Sequence, residues 1–481
     1  MTSVAPDAQP RSRFPTQIPT AAVVALPGSY LGLAAYLGLP SPDLPAPVLA
    51  AIYGAAIVGA AFLLSWAAEA IQVDINAGLA LALLALLAVL PEYAVDFVFT
   101  VQCGGEVAGG GGGGGGGGSG EIPQVCGLAL ANMTGANRVL VGVGWPLVIL
   151  VSAFAVAKAR RSDEEGAEGS EGTGGAGDVD QVENGEAAGA TRAGVRLPRV
   201  MSAEVAFLGL ATLYSLTLPL KQSVTLVDFA VFIGIFVAYA WRLTQMPAEE
   251  PDLMGASLYV GSQERRRRRM LVAAMFAFAA IVILLSAEHF AESLVESGKE
   301  LGVSEFVLVQ WVAPLASESP ELIVACLYAA RLKATDSLGA LLSSKVNQWT
   351  LLVGGLPLVF ALSATTFDGL PLDTEQRFEL LITASQSLFA VSLLIERRLG
   401  WRGASVLLGL FLTQFTVSIL LPDYNRTVII ALSVVYLGLA VGRLIWRRHD
   451  TWRIIRDGFA TSMDDLAAQD ERDADGAAAQ A

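Results

Sequence analysis

Twelve apolar runs, most of them long enough to cross a lipid bilayer, limit what this chain can become. They fall near 20–39, 47–72, 77–102, 126–157, 202–220, 225–243, 270–294, 305–331, 337–363, 377–396, 402–421 and 425–446. A helix needs about 20 mostly apolar residues to span the hydrocarbon layer. Charged residues make up only 16% of the 481 positions, against about 25% in soluble domains. The expected fold is all-α, a polytopic membrane protein of about twelve transmembrane helices.

The loops set the orientation. With the N-terminus in the cytoplasm, Lys158 to Arg161, Arg192 to Arg199, Arg265 to Arg269, Arg331 with Lys333, Arg397 with Arg398, and Arg447 with Arg448 all lie inside. Outside, only Lys221, Lys299 and Arg426 remain. Cytoplasmic loops are enriched in Lys and Arg, so both termini are expected in the cytoplasm, in a cell-membrane protein. The net charge of -14 argues against nucleic acid as a partner, and the five arginines at 265–269 read as a topology signal. The apolar stretch Ala21 to Leu39 follows Arg11 and Arg13 like a signal peptide but lacks a clear cleavage site, so an uncleaved span is expected.

Two inserts stand apart. Residues 104–120 hold ten consecutive glycines after Ala108 and read as an external flexible loop; no Gly-Lys-Ser/Thr follows, which excludes a phosphate-binding loop. Residues 162–195, within the cytoplasmic loop 158–200, are rich in Gly, Glu and Asp and are expected to be disordered. The tail after Asp457 reads the same way, its first part a short amphipathic helix on the membrane surface. Three cysteines exclude a disulfide framework. Cys103 and Cys126 flank the Gly-rich loop, either bridged or as two thiols at helix ends, and Cys326 reads as core packing.

Each carboxylate at bilayer depth needs a reason, because insertion costs about 2.5–3.5 kcal/mol. Glu92 follows Pro91 in the run 77–102, and Glu321 follows Pro320 in 305–331, with Glu318 one turn earlier. Proline inside a helix removes a hydrogen bond, and the freed carbonyls together with a carboxylate suit a hard cation, which takes oxygen ligands. Each Pro-Glu run is followed by a polar one: Gly127 to Arg138, and Asp336 to Gln348. The two copies are five spans apart, so they face opposite ways, the mark of a secondary transporter with inverted repeats.

At these residues the sequence resembles the cation/Ca²⁺ exchanger superfamily, the sodium/calcium exchanger membrane region. Its motif is Gly-Thr-Ser-x-Pro-Glu, then Gly-Ser-Asn-x-x-Asn in the next helix, repeated in opposite orientation. Ala316 to Glu321 and Ser343 to Gln348 match it in the second half; Ala88 to Glu92 and Gly135 to Leu140 match more weakly in the first. The resemblance implies two inverted five-helix repeats plus one extra helix at each end. The segments are then 1–46 with the first extra helix, 47–243 as first repeat, a basic cytoplasmic linker 244–269, 270–421 as second repeat, an extra helix at 422–448, and an acidic cytoplasmic tail 449–481. It further implies that Glu92 and Glu321 are the essential ion ligands.

Asp96, Glu318, Ser317, Asn137, Ser344, Asn347 and Gln348 complete the candidate cation-binding set. The sequence departs from the motif at Arg138 and Lys345, which bring positive charge. Arg138 is expected to pair with Asp96, and Lys345 with Glu318, as charge-compensating groups that fill part of the site. His289 reads as an interfacial histidine, Asp336 as a residue of the inner mouth, and Trp66, Trp145 and Trp349 as packing or interface anchors. The expected function is antiport of Ca²⁺, or another cation, against Na⁺ or H⁺ by alternating access, with lipid and small cations as partners and no cofactor. Two other readings stay open: a sodium/proton exchanger, and a non-transporting scaffold or sensor. No His-Glu-x-x-His or Gly-x-Ser-x-Gly segment supports an enzyme.

Overall fold

The structure, a computed structural model, describes residues 15–74, 90–109, 122–169, 190–191, 194–246, 253, 255–302 and 304–478. The chain runs through α1 (Gln17–Leu37), α2 (Ala46–Ile71), α3 (Leu90–Ala108), α4 (Gln124–Val139) and α5 (Trp145–Gly169), then α6 (Ser202–Ser215) and α7 (Leu226–Leu243). A short α8 (Ala256–Gly261) leads to α9 (Arg265–Leu301), α10 (Glu305–Ala330), α11 (Ala334–Asn347), α12 (Val353–Ala364), α13 (Thr374–Leu394), α14 (Trp401–Leu420) and α15 (Asn425–Trp446). Two helices follow, α16 (Arg448–Phe459) and α17 (Met463–Ala478).

Ten helical stretches among the described residues are long and apolar enough to cross a membrane. They correspond to ten of the twelve apolar runs; α3, described only from Leu90, and α10, which carries Glu318 and Glu321, account for the other two. Large apolar side chains stay exposed along the spans, among them Leu284, Phe154 and Leu362. In water such a surface would drive aggregation; lipid covers it at no cost.

The arginine clusters share one face of the molecule. On it, β1 (Ala190–Thr191) and β2 (Gly194–Arg196) form a small antiparallel sheet with β5 (Arg398–Gly400), pairing Arg196 with Arg398. Asp74 meets Arg268 there at 2.7 Å. The opposite face carries the antiparallel pair β3 (Ser223–Val224) and β4 (Leu370–Pro371) and a disulfide between Cys103 and Cys126 that ties α3 to α4. Of the two states open to these cysteines, the bridged one is therefore found.

Helices α2 and α9, the first of each repeat, pack along each other and against α1, with a core of Ala25, Ala56, Ala60, Ala67, Ala279 and Val282. Small residues let membrane helices approach closely where no hydrophobic force separates protein from lipid. Helix α9 ends at Gly302, whose φ of 64° suits a left-handed cap. A cavity of about 430 Å³ lined by Pro47, Val58, Phe290, Leu301 and Val312 lies between this pair and α10. The larger core is formed by α4 to α7 and α11 to α15, with Trp145 and Trp349 fully buried in it.

Several expectations are corrected. The loop expected to be disordered over 162–195 begins with helix, since α5 continues to Gly169, and ends in β1 and β2; residues 170–189 lie outside the described residues, as do 110–121 of the Gly-rich loop. The tail is helical as far as Ala478, because Asp470 accepts hydrogen bonds from the Arg199 backbone, Asp473 pairs with the Arg199 guanidinium at 2.9 Å, and Leu466 is buried. Arginines 265–269 form the first turns of α9 rather than a linker. Cys326 is a free, half-buried thiol rather than core.

Candidate cation-binding site

The two Pro-Glu helices each pack on the span that follows the Pro-Glu helix of the other repeat: α10 on its polar part, α4, and α3 on its apolar part, α12. At the first crossing, a Cβ on Gly135 would stand 1.8 Å from the Gln310 carbonyl oxygen, so only glycine lets these backbones approach. The break expected at Pro320 is absent, as α10 runs unbroken from Glu305 to Ala330. The irregularity sits in the next span of each repeat. Single π-type turns, Leu140–Gly144 and Gln348–Leu352, join α4 to α5 and α11 to α12. They begin at the two residues that the motif alignment pairs, Leu140 and Gln348, and such turns cluster at functional sites. The stretch 77–89 before Pro91 lies outside the described residues.

These crossings gather the acids. Glu92 is 2% exposed, and its carboxyl lies within electrostatic reach of Glu318, Glu321 and Asp96. Glu318 interacts with both Glu92 and Glu321 and accepts a hydrogen bond from Gln348 Nε2. Glu321, partly accessible, accepts one from Ser344 Oγ at 2.6 Å. Asp96 lies a turn beyond Glu92 and accepts from Asn132 Nδ2 at 2.6 Å. Tyr93 donates to the Leu351 carbonyl inside the second π-type turn, tying the repeats together beside Glu92. Several buried oxygens here have no partner among the described residues: Glu92 Oε2, Asp96 Oδ2, Asn132 Oδ1, Glu318 Oε2 and Asn347 Oδ1. Orphaned buried oxygens are rare in folded proteins and call for an ion or water.

Two expected residues do not face the acids. Ser317 Oγ turns back to the Ala313 and Pro314 carbonyls of its own helix, and Asn137 Nδ2 binds the Met133 carbonyl. Among the described residues no three His, Cys, Asp or Glu side chains form a ready-made metal cage, so ion capture must draw on amide, hydroxyl, carbonyl or water oxygens as well.

Both expected charge pairs are also corrected. Arg138 does not pair with Asp96. Its guanidinium lies 2.7 Å from Glu379 on α13, donates from Nε to the Thr134 carbonyl, and sits 4.8 Å from the Trp311 ring. Lys345 does not hydrogen-bond Glu318 but donates to the Asn137 carbonyl at 2.5 Å and the Asn137 side-chain oxygen at 2.6 Å; Glu318 stays within electrostatic reach. Both bases are fully buried. They reach across to the neighbouring segment instead of along the acid row, so neither forms a direct ion pair with Glu92, Asp96, Glu318 or Glu321.

A solved structure described as the H⁺/Ca²⁺ exchanger CAX is 35% identical to this chain, covers 94% of it and 98% of its own length, and superimposes with a TM-score of 0.74. The chain belongs to the cation/Ca²⁺ exchanger superfamily. The family profile described as sodium/calcium exchanger protein matches residues 271–420 of the exchanger, the repeat in which the motif is better kept. A selenium-substituted Ca²⁺/H⁺ antiporter protein, YfkE, shares the fold at 12% identity, covering 88% of this chain and 100% of that one, with a TM-score of 0.51. No curated protein matches by sequence. Glu379, Asn132 and Tyr93 are parts of the exchanger's buried network that the sequence reading did not single out. Glu379 is only the third residue of the run 377–396 and has no proline beside it, so by sequence it reads as a charge at a span's end.

Proposed function

We propose that this exchanger moves Ca²⁺ across the cell membrane in exchange for protons, by alternating access, with both termini in the cytoplasm. The observation that carries this reading is the meeting of Glu92, Glu318 and Glu321 from two oppositely oriented repeats, with buried oxygens left unpartnered beside them. Carboxylates this close hold either protons or one doubly charged cation, which is the chemical requirement for swapping the two. Glu92 and Glu321 are the ion ligands; Glu318, Asp96, Ser344, Asn347 and Gln348 support them. The 35%-identical structure described as an H⁺/Ca²⁺ exchanger supports the choice of ion pair. The small-residue pair α2 and α9, separated from α10 by an apolar cavity, is the element that slides to expose the site to either side. The arginine-bearing face is cytoplasmic by the charge bias of its loops, and the twelve helices form two five-helix repeats with one helix added at each end.

Purified protein in vesicles tests this. A pH gradient alone should drive ⁴⁵Ca²⁺ uptake, and Glu321→Gln should abolish it while the protein stays folded. Absence of uptake by the wild type under an imposed pH gradient would overturn the proton-coupled reading.

A further inference from the structure

Lys345 is a fully buried base among the polar side chains of the core. Its side-chain nitrogen stands 2.5 Å from the backbone oxygen of Asn137 and 2.6 Å from the side-chain oxygen of the same residue. Both are hydrogen bonds from the ammonium group, and a backbone carbonyl with an amide oxygen is also a donor set that a hard cation takes. Asn137 and Lys345 occupy corresponding places in the two repeats, each three residues before its π-type turn. One repeat therefore offers a pair of oxygens, and the other fills them with a tethered nitrogen. Glu318 lies within electrostatic reach of that nitrogen. Two neutral oxygens beside a carboxylate would otherwise suit a monovalent hard cation.

We propose that Lys345 is a specificity-determining residue: it fills, from within the chain, a second cation position on the Asn137 oxygens, leaves one exchangeable site at the carboxylates, and thereby bars sodium from acting as counter-ion. This rests on the exchanger reading above. The lysine is a positioning and blocking group and does not itself touch the transported ion. Arg138 is held by Glu379 and makes no hydrogen bond to Asn137.

The test uses the full chain in vesicles, measuring ⁴⁵Ca²⁺ uptake under a pH gradient and, at clamped pH, under a sodium gradient. Wild type should respond to protons only. Lys345→Asn, which removes the tether and adds an oxygen, should make Ca²⁺ binding sensitive to sodium. Sodium on the Asn137 oxygens would draw on Glu318 and so exclude Ca²⁺ from the carboxylates; with sodium at ten times its own dissociation constant, the apparent Ca²⁺ dissociation constant should then rise about tenfold by mass action. Lys345→Arg, which keeps a tethered cation, should stay indifferent to sodium. A folded Lys345→Asn that still takes up Ca²⁺ with wild-type indifference to sodium overturns the proposal, and so does sodium-driven uptake by the wild type. If Lys345→Asn does not fold, Lys345→Ser, smaller and without an amide to misplace, is read in the same competition assay against the same outcomes. Failure of wild-type uptake under the pH gradient would instead strike the exchanger reading, so the two results are distinct.

Discussion

Arg138 and Glu379 give the sharpest stability prediction. The guanidinium and carboxylate are 2.7 Å apart with side chains 0% and 2% exposed. Removing one partner of such a pair strands the other as an uncompensated buried charge, which costs about 3–5 kcal/mol. At 1.36 kcal/mol per factor of ten, this lowers the folding equilibrium roughly two-hundred- to five-thousand-fold. Removing both partners strands neither, and apolar replacement of a buried pair is often neutral. Glu379→Leu and Arg138→Met should each lower the melting temperature in detergent by several degrees, and the double substitution should recover most of the loss. Arg138→Met also loses the contact with Trp311, 4.8 Å away, so it should be the worse of the two, by about 0.5–2 kcal/mol. Fluorescence-detected melting of the four proteins reads the cycle. Additive losses, with the double variant the least stable of all, would refute the argument that the pair is structural and closed on itself.

Three further outcomes follow from single contacts. Ser344→Ala removes a 2.6 Å hydrogen bond to Glu321, worth about 1.5–3 kcal/mol when the partner is charged, and should weaken Ca²⁺ binding at least about tenfold in an equilibrium ⁴⁵Ca²⁺ assay; unchanged affinity would remove Ser344 from the site. Gly135→Ala forces a methyl to 1.8 Å from the Gln310 carbonyl and should destabilise by at least the ~1–3 kcal/mol of core overpacking, seen as a lower melting temperature; a neutral result would mean that α4 and α10 are farther apart. Hydrogen bonds from Arg268, with Arg265 and Arg269 nearby, hold the Asp74 carboxyl below its usual value despite burial. A lowered folded-state value stabilises above the unfolded value of about pH 4 and is lost as pH falls through the folded one. Melting followed toward acid pH should therefore show a component that Asp74→Asn lacks.

Periodicity and charge at depth made most of the fold legible, because a bilayer allows little besides helices and tolerates a carboxylate only with cause. The pairing of Glu92 with Glu321 followed from two copies of one pattern facing opposite ways. The partners of Arg138 and Lys345 did not, because a long side chain chooses among several neighbours and the sequence gives no distances. Arg138 takes Glu379 from a helix that the repeat pattern does not mark, and Lys345 takes the corresponding residue of the other repeat. Proline marked the right helices, but at Pro320 the helix runs on without a break. The backbone irregularity lies at Leu140–Gly144 and Gln348–Leu352, where glycine and β-branched residues give no distinct local signal. The acidic tail was read by composition as disordered, yet Arg199 supplies the counter-charge that orders it.

The central claim is that one cation is shared between the two repeats at Glu92 and Glu321. The most direct measurement is anomalous scattering from crystals of this protein soaked in Ca²⁺ or Sr²⁺. The account predicts a single intramembrane peak with oxygens of both glutamates about 2.3–2.6 Å away, absent in Glu92→Gln and Glu321→Gln. A peak held by one glutamate alone, or by neither, contradicts it.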